Sequence, residues 1–310
     1  MIKKLKRVIS KRFLKKSSSK VILTRALCYH SISGDNWEGK VAHRISKENF
    51  AAQLRILKRQ DYTFLKIDEY LESKSRKKVT SVTFDDGYRD LHTNALEVLV
   101  DEGIPFTLFL NGCLLSGEIL WRDMIRILIE SSLVNEFYEY LLVENSDLAL
   151  LIDKSNFYRS TKKNGVNSEL LTGYIKSYLS LKSVSLIDNS LYVNREVLES
   201  LPNDLFSLGN HSWNHYRLST LSKNQLKKEI TSTEELINSI RCNKSRVFSI
   251  PFGGNDSFSQ DMIDILKDLD YLGFLTTDHR PFVPQKYGMD DRGLLHSNRI
   301  LLNNEPQILG

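Results

Sequence analysis

The chain has 310 residues, 41% hydrophobic and 26% charged, a balance that supplies a sizeable core and excludes a disordered or fibrous polymer. Its three cysteines, Cys28, Cys113 and Cys242, are scattered and odd in number, which excludes a disulfide framework and a Cys-based zinc site and favours a reducing compartment. The net charge of +5 is uneven, because residues 1–34 carry ten Lys or Arg and no acid and the remainder is mildly acidic.

Residues 1–20 read as a basic amphipathic arm. Ile2, Leu5, Val8, Ile9, Phe13 and Leu14 recur at helical spacing among lysines and arginines. Such a stretch suits an anionic membrane surface, or is simply a solvated arm. Nucleic acid is not expected as a partner, since the basic charge does not continue onto the body. No apolar run is long enough for a signal-peptide core or a membrane span. The expected location is therefore cytoplasmic, with the arm offering peripheral contact at the inner face of the membrane.

Val21 to Tyr29 reads as a first strand, with His30 at its end as a support. Ser46 caps a helix from Lys47 to about Arg59, and Asp68 to Ser75 is a second, short helix. Val79 to Phe84 is β-branched and apolar, the pattern of a buried strand, and Asp85-Asp86-Gly87 follow it. Two adjacent carboxylates at the end of a buried strand repel each other and lose solvation, so their charge needs compensation. A divalent cation would supply it; a solvated turn is the plainer alternative. Leu91 to Glu102 is periodic and ends at Gly103, and Phe106 to Leu110 reads as the next parallel strand, reached by a right-handed crossover.

Residues 114 to about 200 are helical in pattern, with Trp121–Glu130, Glu136–Leu151 and Leu170–Leu181 as helices and no chemical motif. Packing is the expected role, with shaping of substrate access or contact with a partner as the alternatives. Asp204 to Leu208 then reads as a strand that delivers His211. His211 and His215 are four apart, a spacing at which one helical turn places both imidazoles on one face. Leu218 to Ile240 is an amphipathic helix with Ser222 as N-cap and Gln225 three residues on. Val247–Ile250 is a strand, Pro251-Phe252-Gly253-Gly254 a tight loop, Ser259–Leu269 a helix and Tyr271–Thr276 a strand. This alternation predicts a (β/α) barrel whose reactive groups gather at the carboxyl ends of the strands.

Thr83-Phe84-Asp85-Asp86-Gly87 followed by His211-Ser212-Trp213-Asn214-His215 resembles the first two motifs of the polysaccharide deacetylase family, the NodB-homology domain of carbohydrate esterase family 4. Cys28-Tyr29-His30, Ser249-Ile250-Pro251-Phe252-Gly253 and Gly273 to Thr277 resemble weaker motifs in the family's order. The likeness covers roughly residues 25–112 and 204–302. It implies an α/β fold, a distorted, incomplete (β/α) barrel spanning residues 21–310, with a helical insertion at about 114–200 that compact members lack.

The same resemblance implies a metal-dependent hydrolase that removes an N-acetyl group from an amino sugar in a polysaccharide or glycan intermediate. Asp86, His211 and His215 would hold a divalent metal, zinc foremost, and Asp85 would be the catalytic base. Tyr88, Trp213, Pro251 and Phe252 are expected against the carbohydrate, though each aromatic ring is equally readable as packing. Two positions depart from the family pattern. Many members carry an arginine where this chain has Ser249, and Arg246 would point away from it on a strand. Leu294-Leu295-His296 fits the frame that supplies a histidine as general acid, whereas Asn298-Arg299-Ile300 fits an ending without it. A catalytically weak member that binds metal and glycan, or an esterase or deformylase on the same site, are the alternatives.

Overall fold

The computed structural model describes residues 25–33, 43–74, 78–163, 165–184, 191–277 and 293–302. The basic arm of residues 1–20 and the start of the expected first strand lie outside them.

Seven strands form a closed parallel barrel: β1 (Ala26–Tyr29), β2 (Val82–Phe84), β3 (Phe106–Leu110), β4 (Phe206–Asn210), β5 (Lys244–Ser249), β6 (Gly273–Thr276) and β7 (Leu295–Leu301). Each strand pairs with its successor, and β7 closes on β1 with Ala26 opposite Arg299. Closure leaves no unpaired edge. One strand fewer than a full (β/α)8 barrel, and a slip of register between β4 and β5 at Leu208/Asn210, make this the distorted, incomplete barrel that the resemblance implies.

β3, β4 and β6 are buried along their whole length, on both faces, which is why β3 and β6 read as short apolar runs rather than as alternating ones. Ala26, Phe109, Val247 and Leu275 form an inner cluster with Ile67 and Tyr70 of the helix Ile67–Glu72. That helix sits at the amino end of β5, where Asp68 accepts from Ser245 Oγ at 2.6 Å and from the Arg246 N–H at 2.8 Å. Outside the wall, Phe248 and Phe274 pack with Phe258, Met262 and Leu266 of the layer that holds the helix Gln260–Asp268.

Local signals place several boundaries directly. Ser46 caps Lys47–Arg59 by accepting from the Asn49 N–H, and Ser222 with Gln225 forms a capping box that opens Lys223–Asn238. Other segments depart from expectation. Val79–Phe84 splits at Ser81: Val79–Thr80 pairs with Thr63–Phe64 in a separate ribbon, and only Val82–Phe84 enters the barrel. Leu91–Ala95 is a π-helical turn before the α-helix Leu96–Asp101. The expected helix Glu136–Leu151 breaks at Asn145, whose side chain accepts from the Leu148 N–H and starts Ser146–Leu150 after Val134–Glu144. These pieces, with Trp121–Glu130, Phe157–Ser160 and Ser168–Leu181, are the helical region between β3 and β4.

Candidate active site

Asp85 and Asp86 follow β2, His211 follows β4 and Phe252 follows β5, so three loops meet at the carboxyl mouth of the barrel. Four non-glycine residues in these loops are left-handed: Asp86, Ser212, His215 and Phe252, with φ between 57° and 70°. Each such residue costs roughly 1–2 kcal/mol, and persists only where its surroundings hold it. Here they do. Asn111 donates to the carbonyls of His211 and Ser212, buried Glu229 accepts from both nitrogens of Asn214, and the Trp121 indole N–H donates to the His215 carbonyl at 2.8 Å. Gly87, at φ 70°, adopts a left-handed backbone that disfavours a side chain, and a Cβ there would also press on Leu110 Cδ1 at 2.8 Å. The histidine segment is therefore an irregular loop. The imidazoles converge through backbone strain and buried bonds, not through the helical turn that their spacing suggested.

Asp86 Oδ1 lies 3.4 Å from His211 Nε2 and 3.3 Å from His215 Nε2, and it is buried without a hydrogen-bond partner. His211 Nδ1 donates to the Ser249 carbonyl at 2.8 Å, which leaves Nε2 as a lone-pair donor toward Asp86. Two ligand atoms at ~2.0–2.1 Å from a tetrahedral cation stand ~3.3 Å apart, so these three residues fit a zinc-like ion by spacing and by their orphaned oxygen. Burial alone would raise the Asp86 pKa, but the neighbouring imidazoles, His215 first, hold it well below the usual carboxylate range. Burial drives His215 down to about 4, so it is neutral and able to ligate near pH 7. Burial acts the same way on His211, but the charges of Asp85 and Asp86 outweigh it and raise its pKa. Cys28, His30 and Asp85 form a second close group. It fits a cation poorly, because burial lifts the Cys28 thiol well above its usual range and Asp85 is already engaged.

Arg299 engages it. Its two terminal nitrogens donate to the two oxygens of Asp85 at 2.7 and 2.6 Å, and one also donates to Ser249 Oγ at 2.8 Å, which in turn donates to Asp85 at 3.2 Å. The pair is almost wholly buried. Burial would raise the Asp85 pKa, but the Arg299 charge reverses this and brings it to about 2. A guanidinium from β7 thus reaches the place where Ser249 offers only a hydroxyl. Sequence reasoning missed this role, although an uncompensated Asp85 and an arginine inside the apolar frame of β7 were both visible. Arg246 instead lies outside, 3.9 Å from Glu72.

The inward course of Arg299 also decides His296. Side chains alternate along a strand, so Ser297 and Arg299 face the interior while His296 and Asn298 face the other way. His296 Nε2 lies 2.8 Å from Thr276 Oγ1, and its ring stacks 5.0 Å from Phe274 in the outer layer. The expectation that His296 is the general acid is corrected accordingly: it stands on the far side of the barrel wall from Asp85.

The other expected residues divide. Phe252 lines the cavity, its ring 4.9 Å from that of His215. Tyr88 does not reach it: the side chain is buried, its hydroxyl donates to both oxygens of Asp123, and its ring stacks on Tyr192. Trp213 packs over Gly112 and lines a different cavity with Glu118, Lys176 and Tyr216. Pro251 is buried beneath the loop and is not among the lining residues. His30, read from sequence as a strand support, points into the site with Nε2 3.9 Å from Asp86. A further wall comes from the helical region, for which packing is the first expectation and shaping of substrate access an alternative: Arg122, Arg126, Tyr158 and Lys162. Nothing in the sequence distinguished these cations from a solvated helix face.

The family model described as polysaccharide deacetylase matches residues 72–131 and 169–274, more than half of the chain, and leaves 132–168 outside the match. Solved structures with the same fold include a Streptococcus pyogenes deacetylase, PplD, in complex with acetate (18% identity, TM-score 0.54, covering 93% of this chain and 95% of that one). IcaB from Ammonifex degensii (16%, 0.53, 91% and 91%) and a de-N-acetylase from Aggregatibacter actinomycetemcomitans (15%, 0.53, 92% and 96%) share it also. No curated protein matches the sequence. The motif order and the match over most of the barrel lead to one assignment: the chain belongs to the polysaccharide deacetylase family.

Proposed function

We propose that this protein removes the N-acetyl group from an amino sugar of a polysaccharide or glycan intermediate, and that Asp86, His211 and His215 hold a divalent cation, zinc foremost. The observation that supports this best is the orphaned Asp86 oxygen shared by two imidazole nitrogens, beside a second carboxylate kept ionised by a buried arginine. A cation bound there supplies Lewis acidity, lowering the pKa of water and polarising an amide carbonyl. Asp85 does the protein's share: held as a carboxylate by Arg299 and Ser249, it accepts the proton of the attacking water. Arg299 sets the orientation of that carboxylate and bars it from ligating. The proton on Asp85 is then available to the departing amine, a route that asks nothing of His296. Phe252 offers a ring face to the sugar at the cavity edge.

Incubating the purified protein with an N-acetylated glycan and zinc or cobalt, with metal analysis in parallel, tests this reading. Stoichiometric metal with released acetate supports it. Metal without acetate from any of several glycans favours a catalytically weak binding member, a reading to which the outward face of His296 lends weight. Release of formate or of an O-linked acyl group instead would make the site a deformylase or esterase. Among the described residues no helix is long and apolar enough to cross a membrane. Residues 1–20 would bring a cytoplasmic enzyme to an anionic membrane face, and deleting them should abolish binding to anionic liposomes.

A further inference from the structure

In the cavity wall contributed by the helical region, Arg126 has an acid partner, and Arg122 and Lys162 have none among the described residues. Arg122 is 5% exposed, yet its guanidinium donates only to neutral oxygens, Thr161 Oγ1 at 2.8 Å and the Tyr158 carbonyl at 2.7 Å. It lies 4.1 Å from the centroid of the Tyr158 ring and 4.7 Å from that of Trp121. Among the described residues no carboxylate comes within ion-pair distance of Arg122 or of Lys162, whose ammonium stands 5.7 Å over the same Tyr158 ring. Arg126 pairs with Asp123, but that carboxylate is shared with the hydroxyls of Tyr88 and Tyr192, and Arg126 Nε is buried without a partner. Asp85 cannot serve this wall, because Arg299 takes both of its oxygens. Burying a guanidinium, with a half-buried ammonium over the same ring, and no counter-charge for either among the described residues is costly, and a bound cation on the floor would make the cavity more positive still. Something anionic completes the site.

We propose that the substrate is an acidic glycan, carrying a phosphate or carboxylate close to its N-acetylated sugar, and that Arg122, Arg126 and Lys162 bind that anion. The inference rests on the deacetylase reading for its reaction and on the wall alone for its charge. The two planar guanidiniums present paired N–H donors to paired oxygens and the ammonium adds a point charge, so the set suits either oxyanion.

The test uses the metal-loaded full chain with three probes: a neutral N-acetylglucosamine oligomer, N-acetylglucosamine 1-phosphate and N-acetylmuramic acid. Acetate release and calorimetric binding are measured for the wild type, Lys162→Gln and Arg126→Gln. Lys162 is partly exposed, so its variant should fold even where changes at Arg122 do not. The expected result is a preference for at least one acidic probe that falls about ten-fold in each variant, the usual weight of one charged hydrogen bond, and weakens with added salt. Comparison of phosphate with carboxylate then names the anion. Equal use of neutral and acidic probes, or a preference that neither variant nor salt moves, overturns the inference and leaves the deacetylase reading standing. If no probe releases acetate but an acidic one binds in a Lys162-dependent way, the anion site holds and the hydrolytic reading fails. No release and no such binding rejects both.

Discussion

The floor and the wall of the cavity are built differently. Asp85, Asp86, His211 and His215 sit on short loops at strand ends, in strained backbone held by buried hydrogen bonds. Arg122, Arg126, Tyr158 and Lys162 come from two helices and the turn after the second, tied to the mouth by bonds that include Trp121–His215 and the donation from Arg217 to the Lys162 carbonyl at 2.7 Å. The floor is pre-organised for one chemistry, and the cavity-facing side chains of the wall can vary apart from it. Floor substitutions should therefore stop turnover of every substrate, and wall substitutions should change which substrate is turned over.

The sharpest way to break this division is His211→Ala. It removes an imidazole and its tie to Ser249, so metal content should drop to background and acetate release should fall at least ~10²-fold. A variant that keeps one metal per chain and remains active would detach the floor from the reaction. Asp85→Asn should lose ~10²–10⁴-fold in rate while retaining the ion, since it removes a proton acceptor and no ligand; loss of metal from this variant would mean that Asp85 ligates after all.

Arg299→Met probes the bond that sequence reasoning missed. It strands a buried carboxylate and should destabilise the fold by ~3–5 kcal/mol in denaturant titration, with Asp85→Asn/Arg299→Met costing less than the two single changes together. The pH dependence follows from the sign of the shift. Asp85 has its pKa lowered to about 2, so its stabilising contribution is present above the ordinary carboxylate pKa and disappears as pH falls through about 2. Without Arg299, only His211 and His30 oppose burial and the pKa rises, so acid unfolding and the acid limb of acetate release should both move to higher pH. An unmoved profile would show that something other than Arg299 compensates Asp85.

The smallest effect belongs to His296→Ala. With the ring outside the barrel on Thr276 and Phe274, turnover should change less than about two-fold and stability by ~1 kcal/mol. A hundred-fold fall in rate would return His296 to the reaction.

The order of the first six barrel strands and the helices between them, the caps at Ser46 and Ser222, and the Asp and His motifs were legible because each is a local pattern: apolar periodicity, a side chain bonding its own helix, a run of adjacent residues; the seventh strand was not. Even the convergence of Asp86 with His211 and His215 followed from barrel logic, although the loop geometry that achieves it did not. What compensates Asp85 was hidden, because the guanidinium lies 214 residues away and its direction depends on how β7 is seated against β1. The same seating turned His296 outward, since one strand cannot send neighbouring side chains to one face. The charged wall was hidden for a related reason: an arginine on an amphipathic helix looks alike in sequence whether it meets water or a cavity. By itself, then, the sequence determined the barrel, its family motifs and the residues of the floor; only the tertiary structure decided which charges meet, because burial and facing depend on how distant segments pack together.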